Sequence, residues 1–171
     1  MKTPTMHQRP GFTLIEVIAV VVILGMLVGI ATMNLPGHVN RAKLIQAVGL
    51  LEEADRFART IARKEHMPLE MTLNRKSRTI RVRSIDASAS KPISRLWKFP
   101  SGITVNGIRD SQGSNASNEK QIVISANGTS TVYAIGLAGT NRKASWLVTL
   151  GFSGQQIRME NEADVVAMLA Q

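Results

Sequence analysis

The chain has 171 residues, no cysteine, and 21 Lys+Arg against 12 Asp+Glu, a formal charge of +9. That length holds one apolar span and one modest domain. Without cysteine, disulfide scaffolds, thiol nucleophiles and cysteine-based zinc sites are excluded, so the fold must rest on core packing.

Residues 1–11 are short and basic, with Lys2 and Arg9, and end in Gly11. Phe12 then opens an apolar run to Met33 whose single charge is Glu16. About 20 apolar residues at ~1.5 Å rise cross a ~30 Å hydrocarbon core as a helix. Residues 12–35 are therefore predicted to form a membrane-spanning helix. A carboxylate inside such a run costs ~2.5–3.5 kcal/mol or more unless it finds a partner or lies at the interface. A cut after Gly11 would create that partner, the new amino group of Phe12. Residues 1–11 do not read as a secretory signal peptide, because the apolar region would follow such a cut and be retained. Basic residues flank both sides of the run, Lys2 and Arg9 before it, Arg41 and Lys43 after it, so charge alone assigns no orientation. Gly25 and Gly29 form a small-xxx-small pair suited to close helix approach.

Pro36-Gly37 is expected to kink or unwind the chain. Residues 36–66 continue as an amphipathic helix, regular from about Val39 to Lys64. Leu44, Val48, Leu51, Ala54, Ala58 and Ile61 recur at three- and four-residue spacing and mark a core-facing stripe. Arg41, Lys43, Glu52, Glu53, Asp55, Arg56, Arg59 and Arg63 are assigned mostly to the solvent face. His66-Met67-Pro68 ends the helix.

From Leu69 the period changes to two, and 67–171 reads as a β-rich domain. Leu69, Met71 and Leu73 form one strand and Ile80 and Val82 the next, joined by Asn74-Arg75-Lys76-Ser77. Residues 84–95 are a loop. Leu96–Pro100 is an edge strand or turn, and Ile103, Val105 and Ile108 mark a further strand. Residues 109–120 are polar and read as a loop. Gln121–Ser125 and Thr131–Leu137 are predicted as partners across a tight Asn127-Gly128 turn. After a loop at Gly139–Lys143, Ala144–Leu150 and Gln155–Met159 form a last hairpin. Asn161 is placed to cap a short final helix ending at Leu169.

No catalytic pattern is present. His7, His38 and His66 do not form a metal-binding HExxH motif, and neither a G-x-S-x-G elbow nor a phosphate-cradling loop occurs. No metal site and no cofactor are expected, and the chain does not read as an enzyme. Asn115-Ala-Ser117 and Asn127-Gly-Thr129 match the glycosylation sequon and are read as turns. Without Lys2 and Arg9 the charge is still +7, which favours acidic partners. Two basic groups stand out: Arg75, Lys76, Arg78, Arg81 and Arg83 on the first hairpin, and Arg56, Arg59, Arg63 and Lys64 on the helix. Either is a solvated surface or a phosphate-neutralising patch. Aromatics are only 4% of the chain, too few for extensive base stacking.

The stretch Gly11-Phe12-Thr13-Leu14-Ile15-Glu16-Val17 resembles the amino terminus of the type IV pilin and type II secretion pseudopilin superfamily. The resemblance implies a prepilin peptidase that cuts between Gly11 and Phe12 and N-methylates Phe12, and an assembly role for Glu16. It also implies a leader in the cytoplasm, a single pass of the bacterial inner membrane, and a carboxyl domain in the periplasm. Ile122–Ile135, a strand, a glycine turn and a second strand, resembles the H-type minor pseudopilin of type II secretion (the GspH/FimT family) and related minor pilins. The expected fold is α+β and pilin-like: a long N-terminal helix, membrane-spanning in its first half, packed on a small antiparallel β-sheet domain. The expected function is that of a structural subunit of a secretion pseudopilus. Its partners would be other pseudopilins or pilins through the helix, the peptidase, the inner-membrane assembly platform, and lipid before assembly. The alternative is a minor type IV pilin that binds DNA during uptake. Some such pilins use an arginine-containing motif after a late glycine; here Gly154-Gln-Gln-Ile-Arg158 keeps one arginine.

Overall fold

A computed structural model describes residues 12–86, 92–110, 113–114, 117–140 and 144–170, with the side chains of 30–36 and 114 left out. It divides into two compact units, 1–38 and 39–171. The helix α1, Leu14–Glu65, contributes to both.

In the first unit α1 begins at Leu14, and the helical assignment runs unbroken past Pro36-Gly37. The unwinding expected there does not occur. A proline deletes a single N–H, and the turns on either side keep their own ladder. Among the described residues no helix is long and apolar enough to cross a membrane. In the sequence the apolar run continues through 30–33, beyond the described side chains.

The second unit opens with the upper part of α1. It ends where the sequence indicates: His66 adopts φ 50° and Met67 N–H donates to Ala62 O at 3.2 Å. This is the six-to-one bond of a Schellman motif, and Pro68 prevents resumption of the helix. Two antiparallel sheets follow. The first has the order β3-β2-β1-β6, with β1 Leu69–Asn74, β2 Thr79–Ser84, β3 Ser94–Lys98 and β6 Glu119–Ile124. The second has the order β5-β4-β7-β8-β9, with β4 Thr104–Asp110, β5 Gly113–Ser114, β7 Tyr133–Ala138, β8 Ala144–Thr149 and β9 Gln156–Met159.

The β1–β2 and β8–β9 hairpins match the sequence reading, and Leu96–Lys98 lies in the edge strand β3. Three assignments change. Ser94 and Arg95 belong to β3, while 87–91 of the expected loop lie outside the described residues. The polar stretch 109–120 contributes the end of β4, all of β5 and the start of β6, because ladder pairing outweighs its weak strand propensity. Most consequentially, β6 and β7 are not partners. β6 pairs with β1, whereas β7 lies between β4 and β8. The turn at Asn127-Gly128 exists, with Gly128 at φ 75° and its N–H donating to Ser125 O at 2.8 Å, but it carries the chain from one sheet to the other. Residues 141–143 of the next expected loop lie outside the described residues.

One core lies beneath α1. Ala47, Leu51, Ala54, Ala58 and Ala62 meet Leu69, Met71, Ile80 and Val82 of the first sheet and Ile135, Leu137 and Leu147 of the second. Small alanines on the helix let the backbone approach both sheets. β7 is buried along its whole length, since its other face meets the short helix α2, Glu162–Leu169. Trp146 lies flat on that face across Gly136 and Gly107, where a Cβ would come within 2.8 and 2.6 Å of the indole. Asn161 precedes α2 as expected, but its side chain donates to Asp164 Oδ2 at 3.2 Å and does not cap the backbone.

Candidate functional site

Three groups of residues bear on function: the amino-terminal motif, the basic clusters, and a buried polar assembly that the pattern of the sequence concealed.

At the amino end Thr13 precedes the first helical residue. Glu16 N–H donates to Thr13 O at 3.1 Å and to Thr13 Oγ1 at 3.4 Å. A Thr-x-x-Glu spacing ahead of an apolar run is the signal for this cap, and the acid also complements the positive end of the helix dipole. Glu16 is exposed, and its carboxylate has no partner among the described residues. Phe12 is 84% exposed, and from Leu14 to Val28 each large apolar side chain is at least half exposed. Gly11 lies outside the described residues. No Cβ placed at Gly25 or Gly29 would meet a described neighbour within 4 Å. This part of the chain presents an apolar cylinder with one carboxylate near its end.

The basic clusters are smaller than they look in sequence. Arg81 and Arg83 do share the outer face of β2, since Ile80 and Val82 alternate with them into the core. Arg83, however, is bound to Glu70 at 3.0 Å. Arg75 donates to Val105 O at 3.2 Å and Asn106 O at 3.1 Å, so it holds the bulge of β4. Lys76, Arg78 and Arg81 are left without an acidic partner among the described residues. On the helix, Arg59 is 3% exposed and cannot meet a phosphate. Arg158, the arginine of the late glycine stretch, is taken by Glu52 at 2.8 Å.

Arg59 belongs to the concealed assembly. It sits one turn after Asp55, and both are buried. Arg59 Nε donates to Asp55 Oδ2 at 2.9 Å and Oδ1 at 3.0 Å. Asp55 also accepts from Tyr133 Oη at 2.6 Å and from Gln156 Nε2 at 3.2 Å. Arg59 Nη1 donates to the carbonyls of Gly128 and Gly151, each at 2.9 Å, and Nη2 donates to Ser130 Oγ at 2.8 Å. One helical turn thus binds the connection between the sheets and the β8–β9 turn. Both turns require glycine. At Gly151 a Cβ would lie 2.0 Å from Ser130 O, and Gly128 combines positive φ with a neighbouring Arg63 side chain at 2.8 Å. The sequence reading placed Asp55 and Arg59 on the solvent face. At about 100° per residue Asp55 falls between Leu51 and Val48 and Arg59 falls beside Val48, at the edge of the apolar stripe, and that angular position is the available signal.

Burial pushes the Tyr133 phenol well above its ordinary range, and the Asp55 carboxylate adds to the effect. The hydroxyl therefore remains a donor to Asp55. The assembly is closed upon itself, its donors and acceptors meeting within one network. Among the described residues no cluster of His, Asp or Glu could hold a metal ion.

The family model described as the prokaryotic N-terminal methylation motif matches residues 6–32. No curated protein matches the chain. Among solved structures, the minor pseudopilin EpsH from the type II secretion system of Vibrio cholerae is similar over 71% of this chain and 97% of its own, with TM-score 0.56 and 8% identity. The type IV minor pilin FimU of Pseudomonas aeruginosa is similar over 70% and 90%, with TM-score 0.51 and 16% identity. Escherichia coli GspH is similar over 70% and 89%, with TM-score 0.52 and 14% identity. The chain joins the amino-terminal methylation motif of prokaryotic pilins to the pilin-like fold of the minor pseudopilins, as the sequence resemblance implies.

Arg59→Ala leaves a buried carboxylate and two carbonyls short of donors, and should lower stability by about 3–5 kcal/mol in denaturant titration. Asp55→Asn/Arg59→Met should cost less than the sum of the single changes, because no uncompensated charge remains. Tyr133 is the sole tyrosine, so phenolate absorbance reports it alone. Its raised folded pKa means that the unfolded chain loses the proton first, so the contribution of Tyr133 to stability is constant below pH ~10 and is lost above it. Tyr133→Phe should abolish that alkaline fall.

Proposed function

We propose that this protein is a minor pseudopilin, a structural subunit of a type II secretion pseudopilus and not an enzyme. The observation that carries the reading is the bare apolar cylinder of residues 12–28, which keeps one carboxylate, Glu16, inside the matched methylation motif. An apolar surface of that extent requires a covering, either lipid or other helices.

The precursor sits in the inner membrane as a single pass, with 1–11 in the cytoplasm and the β domain in the periplasm. Prepilin peptidase cuts between Gly11 and Phe12 and methylates the new amine. The assembly platform then moves the helix from lipid into a bundle of similar helices. There Glu16 pairs with the Phe12 amine of a neighbouring subunit and sets the axial register. In a low dielectric such a pair discriminates strongly against a misplaced neighbour, even where its net stabilisation is small. Thr13 supports this arrangement, since it caps the helix through the Glu16 backbone and leaves the Glu16 side chain free for another chain.

A second reading, a minor type IV pilin that binds DNA, draws on Lys76, Arg78 and Arg81, the three hairpin cations left without acidic partners among the described residues. Against it stand the commitments of Arg75 and Arg83 within the first hairpin and the withdrawal of Arg59 into the core.

Gly11→Ala should leave the chain uncut, with mass spectrometry finding the leader still attached. Glu16→Ala should be cut normally yet be depleted from sheared fibres by about tenfold, since a lost charge pair of ~1.4 kcal/mol has that effect. Normal incorporation of Glu16→Ala would remove the register role. For the second reading, detergent-solubilised full-length protein should not retain duplex DNA at ~50 mM salt, where electrostatic affinity is greatest. Retention that weakens steeply with added salt, and is lost in Arg81→Glu, would favour DNA capture instead.

A further inference from the structure

The strand β3 forms one edge of the first sheet. Ser84 N–H donates to Ile93 O, and Phe99 N–H donates to Arg78 O, at 3.0 and 2.9 Å. With the register Val82↔Arg95 and Ile80↔Trp97, these bonds turn the backbone of the odd-numbered residues toward β2. The N–H and C=O groups of Ser94, Leu96 and Lys98 therefore point away from the sheet and have no partner among the described residues. The opposite edge of this sheet is held: Lys120 of β6 forms an ion pair with Asp110 of β4.

An isolated edge strand frays, but β3 is clamped from its inner side. Trp97 is buried, and its indole N–H donates to Glu53 Oε1 at 3.1 Å. Arg95 binds the same carboxylate at 3.0 Å while its guanidinium lies 4.9 Å from the Phe57 ring centre and 4.7 Å from that of Trp97. Such cation–π contacts add to the ion pair. The edge is therefore preorganised, which lowers the entropic cost of adding a strand to it.

The outer face beside this edge selects the occupant. Leu96 is 54% exposed, Lys98 is exposed, and Arg81 lies directly across from Leu96 on β2. No acid lies on β3, and its inner-face cation is already neutralised by Glu53. Cations on an edge repel a second copy of the same edge, the usual protection against self-pairing. They favour a strand of opposite charge.

We propose that β3 is a docking edge for an extended acidic segment of a different protein, which adds to Ser94–Lys98 as a fifth strand. Its backbone bonds to Ser94, Leu96 and Lys98, and the carboxylates of its alternate residues lie on the outer face, toward Lys98 and Arg81. Strand addition of this kind draws affinity from the main chain and specificity from alternate side chains.

The test uses the full chain, nitrogen-labelled in detergent micelles, with an alternating Glu-Val heptapeptide as the probe and a Lys-Val heptapeptide as its control. The Glu-Val peptide should produce saturable amide shifts and slowed hydrogen exchange at Ser94, Leu96 and Lys98, and should weaken with salt. Lys98→Glu should lower affinity about fivefold, because an opposite-charge cross-strand pair becomes a like-charge one. Leu96→Pro removes an outward N–H and no ladder bond, so it should abolish binding with an unchanged thermal midpoint. Absence of saturable shifts, equal binding of the Lys-Val peptide, or undiminished binding to Leu96→Pro would each overturn the proposal. The stem reading is tested separately, since none of these changes touches Glu16.

Discussion

The domain depends on a buried ion pair, Asp55 with Arg59, set within one turn of a helix otherwise lined by alanine and leucine. Withdrawing two charges from water costs several kcal/mol each, and mutual attraction alone does not offset it. Here the offset comes from neighbours. Asp55 receives Tyr133 and Gln156, and Arg59 reaches two carbonyls and a serine hydroxyl. Those acceptors belong to segments far apart in sequence, which a purely apolar contact would join with no fixed register.

The same pair explains why the chain passes between sheets where it does. After β6 the backbone must leave one sheet and enter the middle of the other. The carbonyl of Gly128 would be left without a donor during that crossing, and Arg59 supplies one. Arg75 performs a similar task for the bulged backbone of β4. Guanidinium groups suit this work because several fixed donors serve separate acceptors from one planar head. Cations that look like a nucleic-acid surface in sequence are thereby spent inside the fold.

Two carboxylates on one helix then follow opposite logics. Asp55 is surrounded by donors from its own chain. Glu16 lies in an exposed apolar run and keeps its side chain unmatched among the described residues. The first charge is satisfied within the chain, whereas on the proposed reading the second is matched by another chain. The clamped but open edge of β3 has the same character in the backbone: its inner side is fixed by Trp97 and Glu53, and its outer side retains unused hydrogen-bonding groups.

Residue order alone established the amino-terminal motif, the apolar run, the helix through Lys64, its stop at His66-Met67-Pro68, and the hairpins at 69–84 and 144–159. Each is a local matter of periodicity, turn chemistry or motif spacing, so neighbouring residues suffice to specify it. Tertiary structure decided the rest. It separated β6 from β7 although a tight turn joins them, drew strands from the polar stretch 109–120, and turned Asp55 and Arg59 inward. Those outcomes are set by partners distant in sequence: β1 competing for β6, β4 and β8 enclosing β7, and three separate segments arriving with acceptors and donors for one helical turn. A charged residue's local pattern does not reveal whether such partners will reach it, because only packing removes the water that would otherwise have kept it at the surface.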